Sequence, residues 1–291
     1  MNEAPAQVSN NSEKFWLASY PSSVPPEIPA LSYRSLGELF ESCCVEYLPR
    51  VAFSSMGREM TYRELEVETR KVGAWLQAQG LEKGDRVAVM MPNVLQNPVV
   101  TYAILRAGFV VVNVNPLYTP RELEHQLKDA GAKAIFVLEN FAHTVQQVAA
   151  EVGLRHIVVT AMGDMLGMKG HVVNLVVRKV KKLVPAWSIP SAIPFKKVLT
   201  EGSHLPLKPV DIDSNDVAFL QYTGGTTGVS KGAALTHANL IANKMQISMW
   251  LEAAFENRPR PEVLTFVCAL PLYHIFALTV NSLMGVAMGG H

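Results

Sequence analysis

Little in this chain points to charge-driven or disulfide-driven chemistry. Lysine and arginine number 26 against 25 aspartate and glutamate, a formal net charge of +1. No global field therefore draws nucleic acid, and any basic feature acts locally. The three cysteines are Cys43, Cys44 and the distant Cys268, which suggest no disulfide framework. Reduced thiols and a cytoplasmic location are the expectation. The N-terminus, MNEAPAQVSNNSEK, lacks the apolar centre of a secretory signal, and residues 1–30 read as a mobile arm. Internal repeats are lacking as well. One absence points the other way, because Val263 to Gly290 contains no Asp, Glu, Lys or Arg. A charge-free run longer than ~20 residues can span a bilayer. Pro271, His274 and Asn281 interrupt this one, so we read a buried strand, VLTFVCALP, and a buried helix, LYHIFALTVNSLMGVAM. A spanning segment is the alternative. The run ends at Gly289-Gly290-His291, where a helix normally gives way to another strand, and the chain reads as cut short.

What is present is enough apolar material for a sizeable core, 49% hydrophobic against 18% charged residues. SLGELFESCCVEY has a helical pattern and VAFSSM that of a strand, with a turn at Gly57-Arg58-Glu59. Thr61 and Glu64 form a capping box opening a helix to Gln79, with Gly80 as its left-handed stop. Strands RVAVMMP, FVVVNVNP, AKAIFVL and HIVVT then alternate with helices, one of them opened by Thr119-Pro120-Arg121-Glu122 and stopped at Gly131. This rhythm predicts an α/β fold, parallel sheets covered by helices. We divide it into a subdomain over 31–209 and the start of a second α/β subdomain over 210–291. DVAFLQY opens the latter as a strand, and LTHANLIANKMQISMWLEAAF follows as a helix capped by Thr236.

An insertion at about 165–190 breaks the rhythm. On a helix at ~100° per residue, Val172, Val173, Val176, Val177, Val180, Leu183 and Val184 share an arc of roughly 140°. His171, Asn174, Arg178, Lys181 and Lys182 lie opposite, and Leu175 and Lys179 fit neither face. An apolar face beside a basic one, with no acidic residue, suits a helix lying on an anionic membrane through residues 169–184. The alternative is a helix packing its apolar face on its own domain.

The densest chemical signal is YTGGTTGVSKG, Tyr222 to Gly232. Gly224, Gly225, Gly228 and Gly232 let a backbone approach phosphate oxygens closely, Thr223, Thr226 and Thr227 add hydroxyls, and Lys231 adds a mobile charge. Thr226 or Thr227 is a candidate contact for the water shell of Mg2+. Placed between a strand and a helix, such a loop sits where α/β sheets hold phosphate. The Walker spelling, with Gly-Lys-Ser or Gly-Lys-Thr, is missing, so a P-loop nucleoside triphosphatase is disfavoured.

YTGGTTGVSKG resembles the first signature of the adenylate-forming enzymes, the acyl-CoA synthetase and luciferase superfamily. TYRELEVETRKVGAWL, GDRVAVMMPN, LTHANLIAN and LPLYHIFAL are similar to that family as well. Gly224, Ser230, FWLASYP and the Val/Lys segment look most like its bacterial long-chain fatty acyl-CoA synthetase branch. The resemblance implies the N-terminal portion of the large domain, with the C-terminal small domain absent. It implies a long-chain fatty acid–CoA ligase that uses ATP, Mg2+ and coenzyme A, releasing pyrophosphate and AMP, and a fatty acid as the third substrate. Lys231 would hold pyrophosphate, and Thr223, Gly224, Gly225, Thr226, Thr227 and Gly228 the nucleotide. His274 would lie by the substrate carboxylate and the adenylate, with Tyr273, Phe276, Leu278 and Leu283 lining the acyl pocket. The later Thr-Glu signature, the ribose-binding Asp, the hinge and the catalytic lysine are not found, so an incomplete and inactive piece is expected. A non-catalytic lipid- or membrane-binding protein is the competing class. Peripheral attachment to the inner face of the membrane and a homodimer are compatible with the sequence, which specifies neither.

Overall fold

The computed structural model describes residues 14–223 and 230–291. Strands covered on both faces need apolar residues at every position, and the Val/Ile runs supply them. β3 (Arg86–Met90), β4 (Val110–Asn113), β5 (Ala134–Leu138) and β6 (His156–Thr160) pair in parallel, and every residue of β4 and β5 is buried. β7 (Ala192–Pro194) and β8 (Val217–Thr223) extend the two edges, also in parallel. β9 (Lys231–Thr236) closes the β8 edge antiparallel, giving the order β7-β6-β5-β3-β4-β8-β9. A separate hairpin, β1 (Val51–Ser55) and β2 (Arg58–Thr61), turns at Met56-Gly57, whose φ values are 50° and 77°, as a type I′ turn requires.

Alternate strand residues feed two cores, because side chains point to opposite faces with period 2. Val87, Val89, Val111 and Phe136 meet α1 (Leu36–Glu46), α2 (Tyr62–Ala78), α3 (Gln96–Arg106) and α7 (Phe195–Gly202). Ala88, Met90, Val112 and Ile135 meet α4 (Pro120–Ala130) and α5 (Ala142–Val148). The whole of α3 is buried. Its buried Arg106 binds Glu41 of α1 at 2.9 Å and Glu66 of α2 at 3.1 Å, so one guanidinium ties three helices. Both capping boxes form, Thr61 with Glu64 and Thr119 with Glu122, and Gly80 and Gly131 take φ of 71° and 61°. Cys43 and Cys44 are free and buried, and burial pushes their thiols up to about 11 and about 12.

Several expectations are corrected. β8 and β9 join the same sheet as β3–β7, so the boundary near residue 210 does not separate two sheets. Among the described residues of the expected arm, Phe15–Ser19 form a 3-10 turn and Tyr20 lies edge-on to Trp250 at 5.0 Å. VLTFVCALP forms no strand, and Val267 and Leu270 are exposed. A strand is held by its neighbours, and this segment has a one-residue partner among the described residues: Phe266 N–H donates to His291 O, and His291 N–H to Leu264 O, each 2.8 Å. The following helix is a π-helical run, Ala277–Met284, ending in α9 (Gly285–Ala287). No helix among the described residues is long and apolar enough to cross a membrane.

α8 (His237–Phe255) begins with a buried histidine, whose Nδ1 accepts the Leu36 N–H at 3.1 Å and joins α8 to α1. Burial depresses His237 to about 4, and Lys83 acts in the same direction against the opposing pull of Asp216. Because the folded value lies below the unfolded one of ~6.5, stability is fully present above that pH and is lost as pH falls toward 4. The shift corresponds to about 3 kcal/mol at most. Urea midpoints should therefore drop between pH 7 and pH 4.5 in the parent protein, and drop less in His237→Gln. Parallel pH curves for the two would disprove this role.

Candidate functional site at the carboxyl ends of the central strands

Two of the buried strands contain an amide among apolar residues, Asn113 in β4 and Gln221 in β8. A buried amide left unpaired is costly, and these two satisfy one another. Gln126 of α4 donates to Asn113 O at 2.8 Å, and Asn113 Nδ2 donates to Gln221 Oε1 at 3.0 Å. Gln221 Nε2 then donates to Tyr273 O at 2.8 Å. Asn93, just past β3, accepts the Leu272 N–H at 2.8 Å and donates to the Cys268 and Leu270 carbonyls, each at 2.9 Å. The turn leading to His274 is thus fastened to the ends of β3 and β8.

His274 is exposed. Its backbone N–H donates to Pro271 O at 2.9 Å, and its Nδ1 accepts the Phe276 N–H at 3.3 Å. In the neutral ring this leaves the proton on Nε2, a donor turned away from the helix it caps. Tyr273 is half-buried beside it.

The glycine-threonine loop leaves from the same place. β8 and β9 pair Tyr222 with Gly232 and Thr223 with Lys231, so Lys231 stands exposed at the neck of a hairpin. Ser230 Oγ donates to Thr223 O at 2.8 Å and ties the two legs together. α4 braces both legs: the Tyr222 hydroxyl donates to Asp129, and His125 Nε2 bonds Ser230 O at 3.2 Å. Burial, then the Asp129 bond, pushes the Tyr222 phenol well above its ordinary range. A Cβ on Gly232 would come within 2.8 Å of the Tyr222 ring, so glycine here lets the tyrosine lie flat along the hairpin.

Gly224, Gly225, Thr226, Thr227 and Gly228 lie outside the described residues. The loop does not lead from a strand into a helix, as the sequence suggested, because β9 intervenes. The first N–H groups of α8 are engaged elsewhere: His237 N–H donates to Asp216 O, Ala238 N–H to Ser214 O and Asn239 N–H to the Thr236 hydroxyl. KGAALT hides this strand, since it is short of the β-branched and aromatic residues that mark one. Of the expected acyl-pocket residues, Phe276 is exposed, whereas Leu278 and Leu283 are packed in the main core, so the three do not share one wall. No group of His, Cys, Asp or Glu able to hold a metal occurs among the described residues. A cavity of about 550 Å³ lies away from the loop, beyond β5, β6 and β7.

Sequence reasoning missed Asn93, Asn113, Gln126, Gln221, His125, Asp129 and Ser230. The signal for two of them was present: FVVVNVNP and DVAFLQY each carry an amide in an otherwise apolar strand.

The profile of a family described as AMP-binding enzyme matches residues 40–291. The chain belongs to that family. Among curated AMP-binding relatives, a long-chain-fatty-acid–CoA ligase from Yersinia pestis is 51% identical over 280 residues, 96% of this chain and 49% of the relative. One of the same name from Haemophilus influenzae is 46% identical over 95% of this chain and 49% of its own. The chain therefore spans about half the length of the curated relatives it matches. In fold it is similar to a long-chain-fatty-acid–CoA ligase from Archaeoglobus fulgidus, with a TM-score of 0.69, 24% identity and coverage of 92% and 48% of the two chains. An anthranilate CoA ligase solved with anthranoyl-AMP gives a TM-score of 0.69 at 20% identity, over 90% and 45%.

The hairpin geometry makes a stability prediction. Gly232→Ala should destabilise by about 1–3 kcal/mol, because the new methyl must displace the Tyr222 ring. Tyr222→Phe should cost about 1 kcal/mol for the lost bond to Asp129. Urea unfolding measures both, and a Gly232→Ala protein as stable as its parent would mean that the ring is not held as described.

Proposed function

We propose that this chain carries the phosphate-gripping part of a long-chain fatty acid–CoA ligase. The observation that carries the reading is the juxtaposition at the end of β8: Gln221 fastens the Tyr273-His274 turn, and two residues later the hairpin neck holds Lys231. The names of the curated relatives supply the substrate class.

In the proposed reaction a fatty acid carboxylate oxygen attacks the α-phosphorus of ATP. The bond to the β-phosphate oxygen breaks and pyrophosphate leaves. The thiolate of coenzyme A then attacks the acyl carbon, the carbon–oxygen bond to AMP breaks, and the thioester forms. Lys231 is suited to neutralise charge building on the leaving pyrophosphate. The Nε2–H of His274 is suited to donate to a carboxylate oxygen and orient it for attack. The neck bond from Ser230 and the braces from α4 hold the two legs of the hairpin on which Lys231 stands. Magnesium travelling with ATP would neutralise phosphate charge, and Thr226 or Thr227 is the hydroxyl we assign to its water shell.

Two experiments test the reading. Because the chain spans about half of its relatives' length, the isolated 291 residues should show no fatty-acid-dependent exchange between ATP and pyrophosphate. Exchange above background would refute that. In a protein extended to the relatives' full length, Lys231→Ala should slow adenylation by about 100-fold or more, as loss of a charge-stabilising donor does, with much less effect on transfer from preformed acyl-adenylate. Equal slowing of both half-reactions would exclude the pyrophosphate role.

A further inference from the structure

The Val/Lys insertion behaves neither as a helix that packs its valines inward nor as a loose segment. α6 (Lys169–Leu175) continues as a π-helical turn over Val176–Val180 and ends at Lys182, whose φ is 50°. It is docked through its polar side. Asn174 accepts the Gly163 N–H at 2.7 Å and donates to Asp164, and Arg178 pairs with the buried Glu139 at 2.7 Å. Asn140 holds the Leu183 carbonyl at 2.8 Å. Gly163 and Gly170 cross so closely that a Cβ on either would meet the other's carbonyl oxygen at 2.2 or 1.9 Å.

This fastening decides which way the apolar arc faces. Val177 is inserted and only 7% exposed, but Met168 is 91% and Val180 68% exposed, and Val172, Leu175 and Leu183 stand out with them. Rolling the helix to bury these residues would strip the buried Glu139 of Arg178, leaving its carboxylate without that guanidinium, and would take Asn174 from Asp164. Of the two readings of this helix, packing of its apolar face on its own domain is the one that the exposed Val172, Val180 and Leu183 contradict. The charge around the stripe is one-sided. Between Asp164 and Glu201 the chain has seven lysines and arginines and no acidic residue, and Lys179, Lys181 and Lys182 are exposed on the same turns as the valines.

We propose that the exposed face of residues 168–183 is a docking surface for an anionic lipid bilayer. The apolar side chains enter the interface and the lysines meet lipid phosphates. The platform built from Gly163, Gly170, Asn174 and Arg178 presents the stripe rigidly. It lies beside β7, five strand positions from β8, so it is separate from the phosphate loop. The inference does not depend on the ligase reading, and either can fail alone.

The test uses the 291-residue chain and sedimentation with phosphatidylcholine vesicles, with and without about one-third phosphatidylglycerol. Binding should require the anionic lipid and weaken with salt. Lys181→Glu with Lys182→Glu should lower partitioning by about tenfold or more, and Val180→Ser with Leu183→Ser should lower it at unchanged salt dependence. These side chains are exposed, so circular dichroism and melting should match the parent. Absence of binding, equal binding to neutral vesicles, or unchanged binding of both double variants would overturn the proposal. Self-association that is abolished by Val180→Ser with Leu183→Ser would overturn it in favour of a second copy of the chain.

Discussion

The buried amide of Gln221 is the contact on which the arrangement of the site depends. It sits where β8 joins a sheet whose central strands are apolar on both faces, and a polar group there must find partners. One side of the amide is satisfied by Asn113 of β4 and the other by the Tyr273 carbonyl. The first bond accompanies the pairing of β8 with β4. The second draws a distant segment to the carboxyl end of the sheet. A histidine fifty-three positions along the chain from Gln221 is therefore held at the end of β8 because an amide had to be hydrogen-bonded.

The hairpin gains its fixity in a similar way. Glycines and threonines make a loop permissive, but permissiveness does not position anything. Position comes from α4, which reaches one leg through Asp129 and the other through His125, and from Ser230, which joins the legs.

The insertion beside β7 shows buried charge governing orientation. Glu139 and Asp164 lie at the ends of neighbouring strands, and they take Arg178 and Asn174 from the helix above. Those bonds leave valine and leucine in water, against the usual preference of an amphipathic helix. Hydrophobic burial alone would have turned the helix the other way. The cost of leaving the buried Glu139 carboxylate without Arg178 is the larger effect.

Local patterns were legible where the physics is local. The capping boxes at Thr61 and Thr119, the left-handed stops at Gly80 and Gly131 and the Val/Ile strands are each decided within a few residues, and the folded chain contains them all. The glycine-threonine spelling carried the family in the same way, since its chemistry lies within one loop. Other features depended on partners far along the chain. β9 has little strand signal and exists because β8 offers it an edge, whereas VLTFVCALP has strong strand signal yet forms no strand, with Val267 and Leu270 exposed. The sequence by itself determined the elements of the parallel sheet and the composition of the loop. Only the tertiary structure decided which edge each strand occupies, which amides brace the site and which face the valine helix turns to water, because each of these is settled by a hydrogen bond or charge pair between distant residues.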